Sequence, residues 1–315
     1  MRYLLRRLLW TLAALLGVSL LIFVLVRLIP GTIIEVTTGI EGQLSPQQRL
    51  DLLRSFGLDR PLPVQYALWL WNMLQGNFGW SFRTSQPVAG LLVSRLPITV
   101  ELAVLTVICV TLIGLPLGVA ASITRSVRLK TFVQIIGLVG LSVPNFWVGI
   151  VLIIVASFAF HWFPALIFVT PWQDLPVNLE QMFLPVLSLA LGLAAVVLRM
   201  TRSSMLEVLG QDYVRVAQAK GLSDSIVLLR HALRNALIPI VTVLGLQMGT
   251  LLGGVVITEQ IFGLPGLGWT LLNGVYQRDY PVVQGAVMLF AVLFVLTNLF
   301  VDLTYTYLDP RIRYQ

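Results

Sequence analysis

Six apolar stretches divide this chain, and each is about long enough to cross the hydrocarbon core of a bilayer. They cover residues 8–26, 98–122, 132–160, 182–198, 237–257 and 282–301. Hydrophobic residues make up 57% of the 315 residues and charged residues only 11%, whereas an ordinary soluble domain has about 25% charged residues. The sequence therefore predicts an all-α integral membrane protein with six transmembrane helices.

The first apolar stretch follows a basic start, because the segment Met1–Arg7 contains three arginines. A cleaved signal peptide is the alternative, but the stretch is longer than a typical signal core. No Ala-x-Ala site precedes Pro30. We therefore expect an uncleaved first span.

Two of the later stretches contain helix-breaking residues. Pro144 and Asn145 interrupt the third, and the pair Gly253 and Gly254 is expected to loosen the fifth. Such interruptions are tolerated in membranes where neighbours or a water-filled cavity satisfy the freed backbone groups. The pattern favours positions inside a helix bundle over positions facing lipid.

The distribution of basic residues predicts the orientation. With both termini inside, 14 of the 21 Lys and Arg residues lie in the cytoplasm. Most of the others fall in the long interval 30–97, to which the positive-inside rule gives less weight. We therefore expect N-in and C-in, and the net charge of +7 reflects orientation. No basic and aromatic module indicates nucleic-acid binding.

The interval 30–97 is the least hydrophobic long segment. Pro46–Phe56 is predicted to form a short helix with Ser45 as its cap. An aromatic group follows, composed of Tyr66, Trp69, Trp71 and Trp80. These side chains suit either a protein contact or a loop that rests on lipid headgroups.

The polar interval 203–239 carries the densest positive charge. Basic and apolar residues alternate at roughly the spacing of two short amphipathic helices. Gly221 is expected to end the first helix in a left-handed conformation, while Ser223 caps the second and Asp224 lies in its first turn. A pair this small cannot bury its own core, so it must lie on the bilayer or dock on another protein.

This interval resembles the cytoplasmic coupling loop of permease subunits of ABC importers, whose pattern is Glu-Ala-Ala, three residues, Gly, nine residues and Ile-x-Leu-Pro. Ala217, Gly221 and Leu233 match the pattern. Arg215 stands where the family has Glu, and the Ile and Pro positions also differ. The dipeptide, oligopeptide and nickel branch is more similar, through the motifs YVRVAQAKGLS (213–223), RHALRNALIP (230–239), VPNFW (143–147), FGLPGLG (262–268), RDYPVVQG (278–285) and LDPRIRY (308–314).

The resemblance implies a type I (MetI-like) permease fold in a bacterial or archaeal cytoplasmic membrane. It implies a first helix at 1–29, an extracytoplasmic segment at 30–97, a five-helix core at 98–303 with a coupling loop at 203–236, and a cytoplasmic tail at 304–315. The expected partners are a second permease subunit, two ATPase subunits that hold ATP and Mg, and an external solute-binding protein. The predicted ATPase-coupling residues are Arg215, Ala217, Ala219, Lys220, Gly221, Leu222, Ser223 and Asp224, and the predicted binding-protein contacts are Trp69, Trp71 and Trp80.

Catalytic motifs are missing from the sequence. The two histidines, His161 and His231, exclude a His-Glu-x-x-His zinc site, and no Gly-x-Ser-x-Gly turn occurs. Neither Lys130 nor Lys220 follows a glycine, so no Walker A loop is present. The single cysteine, Cys109, forms no internal disulfide. We expect a non-catalytic subunit without a cofactor or metal of its own.

Polar residues at predicted membrane depth are candidates for a translocation path. Asn145, Gln247 and Asn298 are the predicted path residues. Glu101 and Glu259 lie within about a turn of the outer boundary, where interfacial solvation is expected.

The sequence leaves alternatives open for the energy source and for the substrate. An ion-coupled secondary transporter would need coupling charges within the membrane. An intramembrane enzyme would need a nucleophile or a metal site. Members of the resembled branch carry di- or oligopeptides, chelated nickel or oligosaccharides. Thr32-Ile33 replaces a common Asp-Pro here, and the scarcity of His and Cys argues against a bare metal ion. A peptide is the predicted substrate.

Overall fold

The computed structural model describes residues 2–28, 47, 54, 59–81, 83–162 and 167–308. It divides into two compact units, one comprising Met1–Thr99 and Pro265–Val295 and the other comprising Val100–Leu264 and Leu296–Gln315. In chain order the elements are α1 (Arg2–Leu28), α2 (Leu62–Leu74), β1 (Trp80–Ser81), β2 (Gln86–Pro87), α3 (Val88–Ile123), α4 (Val127–Ser142), α5 (Asn145–Phe160), α6 (Leu175–Leu209), α7 (Asp212–Ala219), α8 (Asp224–Ile226), a π-helical segment (Val227–Leu233), α9 (Arg234–Phe262), α10 (Leu267–Tyr276) and α11 (Tyr280–Leu308).

The prediction of an all-α protein with membrane-spanning helices is confirmed. Among the described residues, five helices are long and apolar enough to cross a membrane, or six if one bent pair counts as a single span. That pair is α4 with α5, whose axes differ by 106°. Pro144 occupies the N-cap position of α5 with an extended backbone, so the predicted interruption of the third stretch is confirmed.

Several helix bounds differ from the predicted spans. Helix α3 begins at Val88, about ten residues before the expected start at 98. Helix α6 runs from Leu175 to Leu209, beyond both ends of the predicted span 182–198. Its 35 residues correspond to about 52 Å of helix, well above the ~30 Å of a hydrocarbon core. Hydropathy marks the part of a helix that lipid can cover, whereas backbone hydrogen bonding continues beyond it.

Helix α6 is the centre of the second unit. Within its most apolar window 72% of residues are buried, against 22–28% for the other long spans. Helices α4, α5 and α9 pack against it. A Cβ atom placed on Gly118 of α3 would lie 2.5 Å from Thr201 Cβ and 2.8 Å from the Leu198 carbonyl oxygen. The absence of a side chain at Gly118 thus lets α3 approach α6 closely.

The prediction that Gly253 and Gly254 loosen the fifth span is wrong, since α9 runs unbroken through both. A Cβ atom on Gly254 would lie 3.0 Å from Cδ2 of Leu189. Gly254 therefore allows close packing of α9 against α6 and does not loosen the helix, because the backbone hydrogen bonds on both sides of it are satisfied.

In the first unit, α2 packs on α1 through aromatic rings. Phe23 meets Tyr66 edge to face with centroids 5.2 Å apart and lies 5.6 Å from the Trp69 ring. The Tyr66 hydroxyl is 2.7 Å from the Ser19 hydroxyl. Arg27 lies over the Phe23 ring and donates to the Gln65 side chain. Of the helix predicted at Pro46–Phe56, only residues 47 and 54 are among the described residues.

Candidate functional site

The chain between α6 and α9 forms a compact projection, which we call the α7–α8 segment (Gly210–Leu233). Helix α7 ends in a Schellman arrangement. The Gly221 N–H donates to the Gln218 carbonyl at 2.9 Å, and the Leu222 N–H donates to the Ala217 carbonyl at 3.4 Å. Gly221 has φ +76°, so the predicted left-handed glycine is confirmed.

The second helix of the segment differs from the prediction. Ser223 does occupy the N-cap position of α8, but its side chain makes no capping hydrogen bond. Helix α8 has three residues and passes into the π-helical segment Val227–Leu233, which continues directly into α9. The prediction of a separate second amphipathic helix is therefore wrong. The physical reason is that no glycine or proline occurs between Asp224 and Ile238, so nothing stops the helix before it enters the membrane span.

The inner face of the segment is apolar and buried. Val214, Ala217 and Val227 form a small core, against which Val208 and Leu209 of α6 pack. The predicted coupling residue Ala217 belongs to this core with 6% exposure. It supports the segment from inside and presents no surface to a partner.

A polar link joins α7 to the start of α9. The Asn235 side chain donates to the Tyr213 hydroxyl at 2.9 Å and to the His231 carbonyl at 2.8 Å. Because Tyr213 lies on α7 and Asn235 on α9, this hydrogen bond ties α7 to the end of a helix that is long and apolar enough to cross a membrane.

The outer face of the segment combines apolar and basic side chains. Val216, Ile226 and Leu229 are 52%, 44% and 60% exposed. Arg215 pairs with Asp212 at 3.7 Å, but both side chains are largely exposed, so the pair contributes little to stability. The remaining predicted coupling residues are all exposed, namely Ala219, Lys220, Gly221, Leu222, Ser223 and Asp224.

Asn145 and Gln247 lie in different surroundings. A Cβ atom on Gly192 would come within 2.6 Å of Asn145 Oδ1, and one on Gly254 would lie 3.9 Å from its Nδ2, so Asn145 packs against helix α6 and near α9. Gln247 borders a cavity of about 10 Å³ that is otherwise lined by apolar side chains of α3, α6 and α9, room for about one water molecule. Asn298 is partly buried on α11.

The two glutamates predicted to be solvated at the interface differ. Glu259 is fully buried, at 0% exposure, so that prediction is wrong for it. Its backbone carbonyl accepts the N–H groups of Gly263 and Leu264, and these bonds close the end of α9. Glu101 is only partly exposed and interacts with the Asn178 side chain.

The predicted binding-protein contacts have different exposures. Trp71 is 60% and Trp80 is 47% exposed. Trp69 is partly buried and packs against the cluster that includes Ile22 and Met73. Trp71 and Trp80 are thus available to a partner, whereas Trp69 is engaged in packing α2 on α1.

A buried hydrogen-bond cluster fixes the β1–β2 hairpin to the turn between α10 and α11. The Ser81 hydroxyl donates to the Asp279 carboxylate and accepts from the Thr84 hydroxyl at 2.8 Å. Arg83 Nε donates to the Gln277 carbonyl at 3.2 Å. Ser81 and Asp279 are 0% and 2% exposed. Sequence reasoning missed this cluster, and the available signal was Asp279 within the RDYPVVQG motif.

Burial raises the pKa of Asp279 above its ordinary value of 3.8, although the Ser81 and Val282 hydrogen bonds and the Arg83 charge oppose the shift. The folded state therefore holds this proton more tightly than the unfolded state. Its contribution to stability is present below the unfolded pKa and is lost as pH rises through the folded pKa. We predict that the free energy of unfolding of the native chain, relative to Asp279→Asn, decreases as pH rises above about 3.8. Thermal unfolding at a series of pH values measures this difference, and parallel curves would contradict it.

Among the described residues no group of three or more His, Cys, Asp or Glu side chains is arranged to hold a metal ion.

Comparison with known proteins identifies one family along the chain. The family model for the binding-protein-dependent transport system inner membrane component matches residues 114–314. The corresponding model for the N-terminal part of such membrane components matches residues 1–103.

Two similar proteins cover the whole chain. The dipeptide transport system permease protein DppB of Escherichia coli (strain K12) is 40% identical over 338 residues, which cover 100% of this chain and 99% of that protein. The oligopeptide transport system permease protein AppB of Bacillus subtilis (strain 168) is 39% identical over 315 residues, with 99% of both chains covered.

A solved structure shows the fold. A chain of the MetNI methionine ABC transporter, in an inward-facing conformation, matches with a TM-score of 0.57 and 20% identity. The match covers 70% of this chain and 96% of that chain. At this identity the likeness concerns the architecture alone, and it confirms the predicted permease fold.

Proposed function

Because the chain belongs to the family of binding-protein-dependent transport system inner membrane components, we propose that it is the permease subunit of an ATP-driven importer of di- and oligopeptides. The names of relatives about 40% identical over the full length support the peptide substrate. The chain forms half of the translocation path and catalyses no reaction itself. ATP and Mg are held by partner ATPase subunits, and this chain binds no cofactor.

The observation that carries the proposal is the construction of the α7–α8 segment. Its inner face is buried against α6, its outer face is apolar and basic, and a hydrogen bond between Asn235 and Tyr213 joins it to α9. Such a segment can transmit force because its inner core packs on α6, its hydrogen bond reaches α9 and its outer side chains are exposed. We assign this face to the ATPase subunit.

The mechanism follows from conformational coupling. ATP binding closes the ATPase pair, and the pair moves the α7–α8 segment with it. Helix α9 moves in turn, and the permease changes from inward-open to outward-open. ATP drives this change only because it binds the two conformations with different affinity.

The proposed assembly contains a second homologous permease subunit, two cytoplasmic ATPase subunits and an extracytoplasmic solute-binding protein. The proposed orientation places both termini in the cytoplasm, in accord with the distribution of Lys and Arg. Asn145, Gln247 and Asn298 are the proposed polar residues of the path. The cavity beside Gln247, at about 10 Å³, is far too small for a peptide, and we propose that the path forms between this chain and the second permease subunit.

Uptake by proteoliposomes tests the function. The complex, purified with the subunits that accompany the chain, is reconstituted with its binding protein and a radiolabelled dipeptide. We expect uptake to require ATP and to persist when ionophores dissipate all ion gradients. Uptake driven by a gradient without ATP would show an ion-coupled secondary transporter. ATP-driven uptake of a nickel chelate or an oligosaccharide, but not of peptides, would retain the machinery and change the substrate.

The exposed tryptophans give a test of the external contact. We predict that Trp71→Ala reduces the stimulation of ATPase activity by the loaded binding protein and leaves basal activity unchanged, because exposed aromatic side chains are frequent anchors of protein interfaces. Trp69→Ala is the comparison variant. Its ring packs 5.6 Å from Phe23 and 6.1 Å from Tyr66, so its loss lowers thermal stability. Full stimulation in a stable Trp71→Ala complex would exclude this contact.

A further inference from the structure

The connection that leads into α6 is non-helical and almost without charge. Residues 167–173 contain no charged side chain, and we call residues 167–174 the strap. Ile167 is 81% exposed and Trp172 is 88% exposed. An exposed apolar segment of this kind is unfavourable in water and indicates that another apolar phase covers it.

Two buried amide side chains of α6 bind the backbone of the strap. Gln181 donates to the Ile167 carbonyl at 2.7 Å and accepts the Val169 N–H at 3.0 Å. Asn178 donates to the Val169 carbonyl at 3.0 Å. Asn178 and Gln181 are 0% and 5% exposed. Side chains thus replace the water that would solvate these backbone groups in an aqueous loop.

The turn within the strap satisfies further backbone groups locally. The Thr170 N–H donates to the Gln173 side chain at 3.1 Å, and the Thr170 carbonyl accepts the N–H groups of Gln173 and Asp174. Pro171 has no N–H to satisfy. Non-helical backbone near a bilayer is tolerated when its polar groups are bonded within the protein, and the strap meets this condition at each of these groups.

The position along α6 sets the depth of the strap. No charged residue occurs in α6 between Glu180 and Arg199. These 18 residues correspond to about 27 Å of helix, close to the thickness of a hydrocarbon core. Asn178 and Gln181, which hold the strap, therefore lie at one edge of that core.

The positions of two tryptophans at this end of α6 agree with the membrane depth assigned to the strap. The indole N–H of Trp162 donates to the Glu180 carboxylate at 2.7 Å, so its polar end is bonded at the boundary. Trp172 projects from the strap at the same end of α6. Tryptophan is enriched where hydrocarbon meets headgroups because its ring is apolar and its N–H is polar.

We propose that the strap is a lipid-binding element that lies in the headgroup boundary of the bilayer, with Ile167 and Trp172 inserted among the lipids. It supports the Glu180 end of α6 in the membrane. Pairing with an extended strand of a protein partner is disfavoured because the backbone groups that would form it are already bonded to Asn178, Gln181 and Gln173.

Spin labelling of the full chain tests the proposal in lipid vesicles, together with the subunits that copurify with it. Cys109→Ser removes the single cysteine, and a nitroxide is attached through Trp172→Cys. Asp59→Cys, at an exposed polar position, is the water control, and Phe183→Cys, 60% exposed within the uncharged stretch of α6, is the hydrocarbon control. Collision rates with oxygen, which concentrates in lipid, and with a water-soluble nickel complex are measured.

At position 172 we expect the collision rate with oxygen to exceed the rate with the nickel complex, as at position 183. At position 59 we expect the reverse. A pattern like that of Asp59 would make the strap an aqueous loop and overturn the proposal. Access by neither probe would show that another protein covers the strap, which would overturn it as well.

A pair of glutamine variants tests the support of the strap. In Gln181→Leu the Ile167 carbonyl and the Val169 N–H lose their partner, so the label at 172 should shift towards the water pattern. Gln173→Leu disturbs only the local turn and should leave the label at membrane depth. Equal collision rates at position 172 in the two variants would contradict the role given to Gln181.

Discussion

Gly221→Val is expected to abolish transport while membrane insertion and thermal stability stay near those of the native complex. Gly221 has φ +76°, and no atom lies within 4 Å of the position that a Cβ would occupy. The cost is therefore conformational, about 1–2 kcal/mol for a left-handed residue with a side chain. Relief of this strain changes the angle between α7 and α8 and so disturbs the outer face, while the packing of the membrane spans away from this segment is kept.

The measurements for Gly221→Val are the number of ATPase subunits per purified complex, hydrolysis stimulated by the binding protein, and uptake into vesicles. We expect either loss of the ATPase subunits or hydrolysis that no longer responds to the binding protein. Gly210→Val is the matched control at the other end of α7. Its φ of −79° suits any residue, and the nearest atom to its Cβ position is 3.4 Å away.

Arg215→Glu introduces the residue of the family pattern and should be milder than Gly221→Val, because Arg215 is exposed and its ion pair contributes little. Normal uptake by Gly221→Val would show that the α7–α8 segment is a helix pair on the lipid surface.

The second large effect is expected for Gly118→Ala, which should destabilise the second unit. The new methyl group would lie 2.5 Å from Thr201 Cβ and 2.8 Å from the Leu198 carbonyl oxygen. The backbone of α6 cannot yield as a flexible side chain does, so α3 must move away. Overpacking of this kind costs about 1–3 kcal/mol, and a larger residue such as Leu should prevent assembly.

Thermal unfolding of the purified complex measures the effect of Gly118→Ala. Gly90→Ala on the same helix α3 is the control, because no atom lies within 4 Å of its Cβ position. It should leave the melting temperature unchanged or raise it slightly, since alanine favours helix more than glycine does. Equal melting temperatures for the two variants would contradict the close contact between α3 and α6.

The sequence predicted the features that depend on local chemistry. Apolar stretches predicted the helices because their length matches a bilayer core. Gly221 was predictable because a left-handed helix end has a strong glycine preference. Pro144 was predictable as a break because proline lacks a backbone donor.

Features that depend on distant contacts were not predictable from local pattern. Ser81 and Asp279 are 198 positions apart, and neither has neighbours that indicate the other. The burial of Glu259 and the packing of Asn145 against Gly192 likewise require knowledge of which helices meet. The continuation of α8 into α9 was missed because charge suggested a boundary where no residue breaks the helix.

Cross-linking tests most directly whether the outer face of the α7–α8 segment contacts an ATPase subunit. Val216→Cys and Val214→Cys are each introduced into the Cys109→Ser chain and treated with a short cross-linker in intact membranes. Val216 is 52% exposed and Val214 is 1% exposed on the opposite face of α7. We predict that position 216 cross-links to the ATPase subunit and that position 214 does not. Failure of position 216 to cross-link in an assembled, active complex would contradict the claim.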